Sequence, residues 1–142
     1  MTPTELAKAC ADAMWSDDNA TAHLGMVLSD VDAGVAVMTM EIRSSMANGH
    51  GMCHGGYIFT LADSAFAFAC NTYGDRVVAA GAQINFLAPA LVGDVLTARA
   101  QEVYRAGRSG LYDVQVTRAD GTRIAEFRGN SRTIRGHHLK TE

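Results

Sequence analysis

Between positions 48 and 63 the chain gathers residues whose types and spacing suit chemistry at a carbonyl group. Asp63 is the one charged residue in the run Tyr57–Cys70, where every other residue is aliphatic, aromatic, Ala, Thr, Ser or Cys. Such a run predicts a helix apolar on nearly every side, hence a buried one. An ionised carboxylate in that setting loses much of its hydration unless partners compensate it or a reaction uses it. Just upstream, Gly55 and Gly56 stand where a Gly- and His-rich loop becomes the helix. A helix start exposes backbone N–H groups at the positive end of its dipole, which suits developing negative charge, and glycine lets a substrate come close. Asp63 lies eight residues beyond Gly55, about 12 Å by the helical rise, whereas a reacting carbonyl needs its oxyanion donor and its attacking group each about 3 Å away. One chain cannot supply both to one substrate. If they share a site, a second subunit must bring its helix alongside, antiparallel, with Gly55 of one chain facing Asp63 of the other across a two-fold axis. A homodimer is then a requirement of the chemistry.

The elements that position these residues follow from the rest of the chain. A length of 142 residues suits one domain able to bury a core without disulfides or metals. Hydrophobic residues at 48% and charged residues at 19% describe an ordinary soluble globular protein, and a net charge of −3 offers no basic field for nucleic acid. The three cysteines, Cys10, Cys53 and Cys70, are odd in number and lack metal-finger spacing, which reads as reduced thiols in a cytoplasm. The N-terminus, with Glu5, Lys8 and Asp12, shows no signal-peptide pattern, and the apolar run of 14 residues from Tyr57 to Cys70 falls short of the roughly 20 needed to span a bilayer. No membrane partner is expected.

Thr2, Pro3 and Glu5 form a capping-box start for a short helix over 3–15. After a polar break at 16–20, the runs 24–28 and 35–42 read as a hairpin turned at Asp32, Ala33 and Gly34. Residues 44–51 read as loop, and the central helix ends at 71–75, with Gly74 as terminator. Beyond it the period changes to two: strands are expected at 77–87, 94–104, 111–117 and 123–133, with a turn at Asp120-Gly121 and a frayed tail from about 136. The outline is α+β, an antiparallel sheet of five or six strands curled around one long helix.

The segment NGHGMCHGGYIFTLADSAF resembles the hotdog-fold acyl-CoA thioesterases of the 4-hydroxybenzoyl-CoA thioesterase-like superfamily, most closely the phenylacetate-pathway (PaaI-type) branch. The likeness extends to INFLAPALVGDVLTARAQ, LYDVQV and FRGNSRT. It implies hydrolysis of an acyl-CoA carrying an aryl-acetyl group, with coenzyme A as part of the substrate and no metal or redox cofactor. By the same resemblance Asp63 is nucleophile or general base, the Gly55 N–H polarises the thioester carbonyl, and Asn48 and His54 shape or orient the site. Pairing of dimers into a homotetramer is expected as well.

Each residue also has a plainer role. Asp63 could bind the neighbouring subunit structurally, Gly55 and Gly56 could serve close packing, Asn48 could hold its loop, and His54 could fix the loop by donating to a backbone carbonyl. Two rival chemistries use the same stretch: Cys53 beside His54 as a thiol pair, or His50, Cys53 and His54 as metal ligands; neither has the further residues it needs. A hotdog hydratase or dehydratase would want a helix histidine after Gly56, which is absent. A non-catalytic acyl-CoA sensor would keep the fold alone. Of the late arginines, Arg108 with Ser109 in the turn Gly107–Gly110 are the candidate CoA phosphate contacts. Tyr57, Ile58, Phe66 and Phe86 are candidate walls of the acyl pocket.

Overall fold

The computed structural model describes residues 1–140. Helix α1 (Pro3–Trp15) begins as the sequence predicts: the Thr2 side chain accepts from the Glu5 N–H at 3.1 Å, and proline occupies the first turn, where its missing N–H costs nothing. Its inward face buries Ala7, Cys10 and Ala11. The polar stretch that follows is not merely a break, because Asp18 accepts from the Thr21 N–H and caps a five-residue helix, α2 (Asn19–His23). Gly25, at φ +68°, turns the chain out of it. Strand β1 therefore starts at Val27, three residues later than expected, and runs to Asp32; it pairs with β2 (Val35–Glu41) through the expected hairpin. The loop expected at 44–51 contains one 3₁₀ turn, Ser44–Met46.

Helix α3 (Gly55–Cys70) is followed by β3 (Asp75–Phe86), β4 (Val95–Ala106), β5 (Ser109–Arg118) and β6 (Arg123–His137). All neighbouring pairs are antiparallel, in the order β1-β2-β4-β5-β6-β3. This is the expected α+β outline at its upper strand count. Alternation assigns the faces: Leu96, Ala98 and Ala100 of β4 and Tyr112, Val114 and Val116 of β5 are buried toward α3, while Arg99, Gln101, Asp113 and Gln115 lie on the other face. The helix packs chiefly on β2, β4 and β5. Phe66 sits at the centre, against Tyr112 and Phe127, and over Gly129, where a Cβ would stand 2.8 Å from the ring.

The long helix carries the chain across the sheet, so β3 becomes the edge beyond β6 rather than a neighbour of β2. The return from β3 to β4 crosses beneath the N-terminal end of α3. There the Cys53 N–H donates to Ala90 O and the Gly93 N–H to Ile42 O, both at 2.8 Å. At the other end Asn71 ties helix to strand, donating to Ala67 O and Val77 O while its Oδ1 accepts from the Val77 N–H. The same Oδ1 lies 2.6 Å from His138 Nε2, and the His138 N–H donates to Gly74 O. These bonds carry order through Gly136, where fraying is expected from sequence. Residues 141 and 142 lie outside the described chain.

Candidate active site

The loop before α3 is built by its own side chains. Asn48 Oδ1 accepts from the backbone N–H groups of His50 and Met52, at 2.8 and 3.2 Å, and the Asn48 N–H donates to Met52 O. This is the loop-holding role open to asparagine. It occupies the carbonyl end of the amide and leaves the Nδ2 donors without a protein acceptor among the described residues. His54 is the N-cap of α3, and its Nδ1 accepts from the Gly56 N–H at 2.9 Å. Where a donor to a backbone carbonyl is one reading of the sequence, the ring is instead an acceptor, so in this bond the neutral imidazole carries its proton on Nε2. With the Gly56 N–H capped and the Tyr57 N–H donating to His54 O, the Gly55 N–H has no acceptor among the described residues. It is an orphan donor at the positive end of a four-turn helix.

That donor opens onto a cavity of about 570 Å³ lined by Asn48, Met52, Cys53, Gly55, Ile58 and the crossing segment Phe86–Ala90. Of the pocket walls expected from sequence, Ile58 and Phe86 take that place. Phe66 does not, being fully buried in the core, and Tyr57 stands edge-on to the His54 ring. Met52 and the segment Leu87–Ala90 are walls that sequence reasoning missed. The proline in INFLAPA marks a turn, but nothing local says that the turn passes under a helix start.

Asp63 does not line this cavity. The helix, expected to be buried all round, leaves a stripe of half-buried residues, Phe59, Thr60, Asp63, Ser64 and Ala67. Asp63 lies on it two helical turns from Gly55. Burial alone raises its carboxyl above the ordinary aspartate value, since no hydrogen bond or cation within the described residues offsets it. Burial likewise raises Cys53, whose Sγ lies 3.4 Å from His54 O. With His54 Nδ1 engaged by Gly56, nothing there generates a thiolate. Among the described residues no three His, Cys, Asp or Glu side chains are placed to share a metal, and no helix is long and apolar enough to cross a membrane.

The remaining candidates lie at the far end of α3. Arg108 and Ser109 sit in the β4–β5 turn, and Ser109 faces Cys70, Tyr73, Arg105 and Tyr112, about 22 Å from Gly55 by the helical rise. Of the other late arginines, Arg128 forms a two-pronged pair with Asp113, Arg123 pairs with Glu126, and Arg105 lies over the Tyr73 ring beside Glu102.

A sequence-family model described as the thioesterase superfamily matches residues 50–125, the span holding the helix, the crossing segment and the loop from His50 onward. The chain belongs to that superfamily. It is 43% identical to the acyl-coenzyme A thioesterase PaaI of Escherichia coli over 126 residues, covering 89% of this chain and 90% of that protein. The solved structure of the E. coli PaaI protein from the phenylacetic acid degradation operon superposes with a TM-score of 0.94 at 40% identity, covering 96% and 99% of the two chains. A Streptococcus mutans protein solved bound to acetyl CoA superposes with a TM-score of 0.74 at 26% identity, over 77% of this chain and 88% of that one. The hotdog fold read from the sequence is thus the fold of the superfamily, and the His-Gly-Gly and Leu-Ala-Asp elements that suggested it lie inside the matched span. In this thioesterase chain the orphan Gly55 N–H and the unpartnered Asp63 carboxyl stand eight residues apart on one helix, about 12 Å by the helical rise.

Proposed function

We propose that the protein hydrolyses acyl-CoA thioesters to the free acid and coenzyme A, at sites shared between the two chains of a homodimer. The observation that carries this reading is the orphan Gly55 N–H at a helix start facing an apolar cavity. A thioester carbonyl placed there gains its hydrogen bond as negative charge gathers on oxygen; removal of such a donor commonly costs about 10² to 10³ in rate. Asp63 of the partner subunit either attacks the carbonyl itself, giving an acyl-aspartyl anhydride that water then hydrolyses to the free acid, or takes a proton from a water that attacks in its place. The C–S bond breaks and the thiolate leaves without a strong acid. Gly56, capped by His54, lets the pantetheine arm approach, and the Asn48 Nδ2 group, its Oδ1 being held by the loop, orients the acyl end.

Two features support the dimer. Strand β3 is a 12-residue edge along which Val78, Ala79, Ala80 and Ala82 are all exposed. The other edge, β1, is only six residues long and carries Asp30 and Asp32, charges that blunt it against pairing. Antiparallel pairing of β3 with its copy about a two-fold axis lays the half-buried stripe of one α3 against the other. In that arrangement the end of the partner's α3, with Arg108 and Ser109, lies about 10 Å beyond its Asp63, on the side from which the CoA phosphates would reach in. A tetramer of two such dimers belongs to the same reading. So do an aryl-acetyl group as the acyl part, a cytoplasmic location suited to three free cysteines, and chemistry that needs no metal or redox cofactor.

Incubation with a panel of acyl-CoAs, following thiol release, tests the proposal. Release that depends on Asp63 supports it; no release with any acyl chain would leave an acyl-CoA sensor in its place.

A further inference from the structure

We propose that Phe86 is a specificity-determining residue of this site, covering the Gly55 N–H on one side and offering its ring to a flat, uncharged acyl group. The inference rests on the thioesterase reading above and adds a residue and a selection rule to it.

Phe86 closes β3 and pairs there with the small, buried Ala125. Its ring does not turn into the core: 54% of the residue is exposed, high for a large apolar side chain. The outer edge of the ring lies against Gly55, where an added Cβ would stand 3.0 Å from Cζ, 3.2 Å from Cε1 and 3.5 Å from Cε2. Glycine at 55 is therefore what admits the ring to the first turn of the helix, besides admitting substrate. Phe86 is the one aromatic residue lining the cavity, and no lining residue is charged.

These facts combine geometrically. A carbonyl oxygen held by the Gly55 N–H puts the acyl carbon beside the same residue that Phe86 touches. A ring carried one carbon from that carbonyl falls within contact distance of Phe86, whereas an acetyl group ends short of it and a charged acyl group finds no opposite charge among the lining residues. Aromatic pairs add to simple burial when rings meet offset or edge to face. The exposed ring also screens the N–H from water, which strengthens its interaction with the oxyanion.

The test compares wild type with Phe86→Ala, Phe86→Leu and Phe86→Trp. One readout is the ratio of kcat/KM for phenylacetyl-CoA and hexanoyl-CoA. The second is the ratio of Kd values for uncleavable ketone analogues, with a methylene between sulfur and carbonyl and a phenylmethyl or pentyl group beyond it. In both, the preference for the ring falls by about threefold to tenfold in the Leu and Ala variants and is retained in the Trp variant. Circular dichroism and size-exclusion chromatography check that each variant keeps its fold and its dimer, because Phe86 ends the β3 edge proposed to pair. Unaltered ratios in the Leu and Ala variants, with normal turnover, overturn the assignment of Phe86 alone. Ring-selective, Phe86-dependent binding of the analogues without turnover of any thioester overturns hydrolysis and leaves the Phe86 assignment standing. Failure of wild type to bind either analogue overturns both.

Discussion

Sharing of the site between chains can be tested by removing its two halves from different subunits. Gly55→Pro deletes the proposed donor, since proline has no N–H. The backbone is ready for it: Gly55 is the first residue of α3 with negative φ, the position at which proline is favoured. His54 before it lies at φ −62°, ψ 133°, the extended region that a residue preceding proline requires. The new ring must displace Phe86, which would lie 3.0 Å from a Cβ at this position. Gly55→Ala imposes the same displacement while keeping the N–H, so the difference between the two variants isolates the hydrogen bond, about 10² to 10³ in kcat. Asp63→Ala deletes the other half. Each of the proline and alanine-63 variants alone is nearly inactive. Unfolded together in equal amounts and refolded, they give about half mixed dimers, each with one intact site and one doubly damaged site, and so about a quarter of wild-type thiol release. Size-exclusion chromatography must show that both variants still dimerise. With that satisfied, no recovery of activity would mean that Gly55 and Asp63 do not meet across the two-fold axis, and the argument from helical rise would fail.

Asp63→Asn should lower turnover by at least about 10³ with fold and dimer intact, the amide being neither base nor nucleophile; activity within tenfold of wild type would remove Asp63 from the mechanism. The same substitution should raise Tm at pH 7. Burial raises the folded-state pKa of Asp63 above its ordinary 3.8, so the charged form is disfavoured in the folded protein, and the penalty disappears as pH falls and the group protonates. Equal melting temperatures at pH 7 would refute that sign. For the same reason the acid limb of kcat/KM should lie above the ordinary aspartate range, as a pH–rate profile of free enzyme reads directly. Cys53→Ser and treatment with chelators should each leave kcat within a few-fold, and a large loss in either would restore the thiol or metal chemistry.

Much of the protein is legible along the chain because its signals are local. The cap at Thr2, the alternation in β4 and β5, the turn at Asp120-Gly121 and the apolar run around Asp63 each express a preference decided within a few residues. So does the loop-to-helix junction at Gly55, because a helix start exposes its N–H groups whatever surrounds it. The separation of Gly55 from Asp63 is also readable, since the rise of an α-helix is the same in every protein. Local signals did mislead at α2, where Asp18 caps a helix too short to show a period, and at the C-terminus, where distant Asn71 and Gly74 hold His138. What only the tertiary structure decides is which distant segments meet. The position of β3 at the sheet edge, the passage of Phe86–Ala90 beneath α3, the place of Phe66 in the core rather than the pocket, and the stripe of α3 left open around Asp63 all depend on how a 16-residue helix crosses a twisted sheet. That crossing is settled by packing among residues far apart in sequence, as where Gly129 makes room for Phe66, and no window of neighbouring residues contains it.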